Sequence, residues 1–196
     1  MSADSQQPFD IGQLQANMRR NPGKAHAFLP ALVDEPEFTP DNKSLADYIK
    51  QNLPAYKLIG PMRKHKPFQD AGPEYCTTFI EGDFNGNGLS DYLAVMGIEH
   101  EASHAHVVLF LQNERNEFQH RILQVWTTWY HAYLRKTTVG EIKSRTKPNH
   151  EKNQSQWKET FDIPADRPGA WIGLLARHEW GFYISSKGPR IVKFGC

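Results

Sequence analysis

The chain is 196 residues long and carries a formal net charge of +1, with a sequence pI near 7.8. That length suits one domain with an appended arm, and its 5 Trp, 7 Tyr and 11 Phe are enough to fill a sizeable core. Near-neutral charge gives no general electrostatic reason to expect nucleic acid or a membrane as partner, and no apolar run approaches the roughly 18 residues that a span needs.

Residues 1–43 read as a helical arm and residues 44–196 as a single α+β domain. The first eight residues lack the basic and apolar regions of a secretory signal, the ordinary mark of a cytoplasmic protein, although a chain starting at a mature end looks the same. Asp10 and Gln13 form an N-cap pair and Ile11, Leu14 and Met18 share a face, which predicts a short helix over 11–20 ended by Asn21-Pro22-Gly23. Residues 25–33 have room for a second helical turn. A third helix is expected from Ser44, with Asp47 three residues on and Leu45, Tyr48, Ile49 and Leu53 in one buried stripe, and Pro54 stops it.

Strands follow. Residues 56–59 and 75–80 are rich in aromatic and β-branched residues, and a basic loop with Arg63, Lys64, His65 and Lys66 lies between them. Strands are also expected over 92–96, 107–111 and 118–125, the last two as a hairpin around Asn113-Glu114-Arg115-Asn116. This makes a meander of at least four strands. Residues 126–135 are dense in aromatics and 143–158 read as a polar, exposed loop. The tail returns to β character over 170–176, 180–186 and 190–194, with Lys187-Gly188-Pro189 as a turn, so that a further hairpin closes the sheet.

The chemistry concentrates in Gly82-Asp83-Phe84-Asn85-Gly86-Asn87-Gly88-Leu89-Ser90-Asp91-Tyr92. Asp83, Asn85 and Asn87 alternate, so in a tight loop their oxygens converge; Gly88 supplies the turn, Leu89 a carbonyl, and Asp91 closes from the far side. Hard oxygen ligands of mixed type suit Ca2+ better than magnesium, which demands a stricter octahedron. A Gly/Asn-rich turn that binds nothing is the plain alternative, but a turn has no need of acids at both its first and ninth positions. An EF-hand would carry a bidentate Glu at the twelfth position, where this chain has Ala94. The segment instead resembles the strand-loop-strand calcium motif of FG-GAP and VCBS repeats, the integrin-propeller type, in which an Asp at the ninth position takes the place of that Glu. No second copy at propeller spacing is present, so a propeller is not expected. The layout is similar to small bacterial secreted proteins with a solitary loop of this kind.

His100-Glu101-Ala102-Ser103-His104 matches the zinc-peptidase pattern, with His106 as a nearby third candidate. That pattern has meaning only on a helix, and the apolar run that starts at Val107 leaves little room for one. The chain has 9 His, so chance can produce the match; a zinc-dependent hydrolase is kept as the alternative. Asp162 with Asp166, and His178 with Glu179, are given no catalytic role. Cys76 and Cys196 permit a disulfide without requiring it.

The expectation is an α+β fold with N-terminal helices packed on an antiparallel meander, pinned by one Ca2+ at residues 83–91. Only two of the ligands are formally charged, so the site is expected to be weak and to work in calcium-rich periplasmic or extracellular fluid. The expected role is non-catalytic protein binding, as by an inhibitor or immunity-type protein facing a toxin or hydrolase. Residues 126–130 and 143–158 are the candidate contact surfaces.

Overall fold

The computed structural model describes residues 32–33, 43–60, 77–98, 101–126, 132–145, 163–174 and 178–193. In order these form β1 (Leu32–Val33), α1 (Lys43–Asn52), β2 (Tyr56–Ile59), β3 (Phe79–Gly82), β4 (Asp91–Ile98), β5 (Glu101–Gln112) and β6 (Phe118–Trp126). They continue with β7 (Ala132–Thr138), α2 (Val139–Arg145), β8 (Pro168–Leu174), β9 (His178–Ser185) and β10 (Gly188–Lys193). No described helix is long and apolar enough to cross a membrane.

Two antiparallel sheets result. One runs β1-β2-β4-β5-β6, and the other runs β10-β9-β8-β7. In the first, β5 holds one edge of β4 from Tyr92 to Ile98, so β2 and β3 share the other edge. There β3 lies against residues 91–94 and β2 against residues 96–98. The two residues just before β3 are bonded to both sheets. Val95 N–H donates to Thr78 O at 2.8 Å within the first sheet, and Leu134 N–H donates to Thr77 O at 2.7 Å from the second.

β4 explains its own sequence. Its apolar run does not alternate with polar residues because both faces are covered. Leu93 and Val95 join Val107, Leu109, Leu134, Ala170, Ile172 and Phe182 in the core between the sheets. Tyr92, Ala94 and Met96 face the other way, with Val108, Phe110 and Phe118 against Leu45 and Leu53 of the α1 region. Tyr48 on the same helix meets Phe110 edge-on at 6.4 Å. On the far side of the second sheet, Trp171 and Tyr183 pack with Val139 and Ile142 of α2 and with Ile163. The described elements therefore stack as helix, sheet, sheet, helix.

The α+β expectation holds at this coarse level, as mostly antiparallel sheet with two short helices among the described residues, and several details differ. The tail does not close the first sheet; it builds a second one with β7. β7 overlaps the stretch expected only to be rich in aromatics, and α2 lies mostly over 139–142, for which no element is expected, because four polar residues end β7 and α2 spans barely two turns. Leu32–Val33 is a strand paired to β2, whereas a helical turn is expected there; the predicted helix over 11–20 lies outside the described residues. α1 begins at Lys43, so Ser44 sits inside its first turn, and its hydroxyl accepts from Asn116 Nδ2 at 3.2 Å. The last hairpin turns at Ser186 and Lys187, since Gly188 already pairs with Ser185 and Pro189 with Ile184. Pro189 is tolerated there because β10 is an edge strand.

Leu93 is fully buried at the centre of the inter-sheet core, so Leu93→Ala should cost about 2–5 kcal/mol in urea unfolding. Ile122→Ala, at a site 43% exposed on β6, should stay within about 0.5 kcal/mol of the parent.

Candidate metal centre

The β3–β4 connection starts at Gly82, which pairs with Asp91, and reverses through Gly86 at φ 78° and Gly88 at φ 81°. Both are left-handed conformations that favour glycine. Between Gly82 and Gly86 the side chains alternate in direction. Phe84 is buried and meets Phe182 of β9 edge-on at 5.7 Å, which anchors the loop in the inter-sheet core. Its neighbours Asp83 and Asn85 turn back into the loop.

Asp83 Oδ1 accepts N–H bonds from Gly86 at 2.7 Å and Asn87 at 3.0 Å, and its Oδ2 accepts one from Gly88 at 3.0 Å. Asn85 Oδ1 accepts from Asn87 N–H, and Asn87 Oδ1 from Leu89 N–H, each at 2.9 Å. Asp91 closes the ring: its Oδ2 accepts from Asn85 N–H at 3.1 Å and its Oδ1 from Gln112 N–H at 3.0 Å. Asn87 Nδ2 donates to Gln112 O at 2.8 Å, so the backbone of one β5 residue, Gln112, holds both Asn87 and Asp91 in place. Asp83, Asn85, Asn87 and Asp91 are thus gathered on one loop. Leu89 is half-buried and held through its N–H.

The electrostatics centre on Asp91, which is 0% exposed. Burial pushes its carboxyl up to about 6; the backbone N–H groups of Gln112, Asn85 and Phe84 pull it down, and the negative charge of Asp83 adds to the rise. Neither Asp83 nor Asp91 has an ion-pair partner within 4.0 Å among the described residues. Burying a charge without a counter-charge is costly.

The loop gathers oxygens of Asp83, Asn85, Asn87 and Asp91, and Asn85 Nδ2 lies 3.5 Å from Asp91 Oδ1. Each amide oxygen accepts one N–H and Asp83 accepts three, so all three residues keep a lone pair. No group of three or more His, Cys, Asp or Glu occurs at metal-binding spacing among the described residues, so any cation here would draw on the amide and backbone oxygens as well as the two acids.

The zinc-peptidase match is placed differently from what that chemistry needs. Residues 101–104 belong to β5, and an extended backbone does not set two ligands one helical turn apart. His106 is buried on the same strand with Nδ1 3.0 Å from the Tyr56 hydroxyl, while His100 lies outside the described residues. Glu179 takes part in a structural cluster, accepting from the Tyr133 hydroxyl at 2.9 Å and pairing with Arg135 and Arg145. Cys76, Cys196, Asp162, the basic loop at 63–66 and the aromatic stretch at 127–130 lie outside the described residues.

Three contributors carry no motif-level signal: Phe84, Gln112 and Arg167. Arg167 Nη1 donates to Asn85 O at 3.2 Å from 82 residues away. No protein-family model, curated protein or solved structure matches the chain.

The Asp91 carboxyl gives a pH dependence in calcium-free buffer. A folded value of about 6 against an ordinary 3.8 means that the native state holds the extra proton between those values. Stability should therefore fall as pH rises from about 4 to about 6 and level off above, by on the order of 2–3 kcal/mol. Asp91→Asn should remove that part of the slope in urea titrations run at successive pH values.

Proposed function

We propose that the chain is a non-catalytic calcium-binding protein. One Ca2+ is held by Asp83, Asn85, Asn87, the Leu89 carbonyl and Asp91. The cation's role is structural: it neutralises two carboxylates and fixes the hairpin that leads into β4. The observation that carries this reading is the buried Asp91 carboxylate, packed near Asp83 with no basic side chain paired to either among the described residues. A divalent cation is the group that offsets such a pair without rebuilding the loop.

Two formal charges among the ligands favour a modest affinity, which suits the calcium-rich fluid of the bacterial periplasm or cell exterior. The partner class that fits this reading is another protein, met as an inhibitor or immunity-type module meets a toxin or hydrolase.

A cation that binds only the folded state adds about 2.7 kcal/mol at a hundredfold excess over its Kd. For a chain of this size that is a Tm rise of roughly 5–10 °C. Thermal unfolding in millimolar calcium against EGTA should show this rise, and Asp83→Asn combined with Asp91→Asn should abolish it. A Tm indifferent to calcium, or a tightly held zinc with activity lost in Glu101→Gln, would overturn the reading.

A further inference from the structure

We propose that Arg167 is a positioning residue of the calcium site, holding the loop in ligand geometry from the second sheet. The inference rests on the calcium reading above and extends it to a residue far outside the loop.

Asn85 occupies the third position of the loop, and the peptides on both sides of its Cα are fixed. Its N–H donates to Asp91 Oδ2, and its carbonyl accepts from Arg167 Nη1. The backbone that carries the Asn85 side chain therefore cannot rotate without breaking a bond to the acid or to the guanidinium. Arg167 is itself placed rigidly. Its N–H donates to Pro164 O at 3.2 Å and its carbonyl accepts from Val139 N–H at 3.0 Å, at the first residue of α2. Pro168, the next residue, opens β8 and packs against the loop base, where a Cβ on Gly82 would stand 3.2 Å from its own Cβ.

The two left-handed glycines separate this role from ordinary turn chemistry. A Cβ on Gly88 would meet nothing within 4 Å, so only its backbone conformation calls for glycine. A Cβ on Gly86 would collide with the guanidinium of Arg167 at Cζ and Nη2 and lie 2.9 Å from Nε. Gly86 is thus also the gap through which the guanidinium reaches the Asn85 carbonyl.

A guanidinium beside a cation site has two opposite effects. As a bystander its positive charge opposes calcium, so removing it tightens binding. As a positioning group it keeps the Asn85 and Asp91 oxygens in place before the ion arrives, so removing it weakens binding. The sign of the change decides between them.

The test is calcium titration of the full chain by calorimetry or chelator competition, with Arg167→Met and Arg167→Lys. Arg167→Met keeps most of the apolar stem and should weaken calcium binding about tenfold. Arg167→Lys keeps the charge but has a single-point donor, and should fall between Met and the parent. Tighter or unchanged binding in Arg167→Met, or parental affinity in Arg167→Lys alongside tighter Met, overturns the proposal while leaving the calcium site intact. Absence of calcium binding in the parent protein overturns both.

A second measurement in EGTA does not depend on the ion. Gly86→Ala lowers Tm both by strain and by displacing Arg167, so its effect should shrink by about half in the Arg167→Met background. Gly88→Ala should lower Tm equally in both backgrounds, and additivity at Gly86 contradicts the proposal.

Discussion

The carboxylate of Asp91 enters the protein interior at the first residue of β4, the strand that both cores share, and the preceding loop is folded around that charge. Its oxygens accept backbone N–H groups from Asn85 on the loop and from Gln112 at the end of β5. One charged group thus fixes where the hairpin bends and where the neighbouring strand ends. Burial raises its protonation more than the backbone N–H groups lower it. A cation at the loop would complete an arrangement that the backbone already sets up.

The loop is also where the layers meet. Phe84 points into the space between the sheets, Asn87 is bonded to Gln112, and Arg167 reaches Asn85 from the segment before β8. Beyond Gln112 a side-chain chain continues: its Nε2 donates to Asn116 Oδ1, and Asn116 Nδ2 donates to Ser44 in the first turn of α1. Contiguous bonds thus connect the loop to α1 on one side and to the segment before β8 on the other.

Much of this was legible locally. The alternating Asp83, Asn85 and Asn87 identified the loop, the apolar stripe of α1 its helix, and the turn at Asn113 to Asn116 its hairpin. What the sequence concealed was long-range. Nothing in residues 168–193 says that they pair with one another and with β7 instead of extending the first sheet, because strand alternation reports a buried face and not its partner. The reach of Arg167 to Asn85 was likewise invisible, since a lone arginine carries no period and no spacing. The zinc-peptidase pattern shows the complementary limit: a local pattern is present, but Glu101 to His104 lie on a strand and not on the helix that its chemistry needs.

The most direct measurement of the central claim is a crystal structure of the protein grown in millimolar calcium, with anomalous scattering used to locate the ion. The account predicts a single cation at about 2.3–2.6 Å from oxygens of Asp83, Asn85, Asn87 and Asp91. The same crystals with no ion at the loop and Asp91 bonded only to backbone N–H groups or water would contradict it.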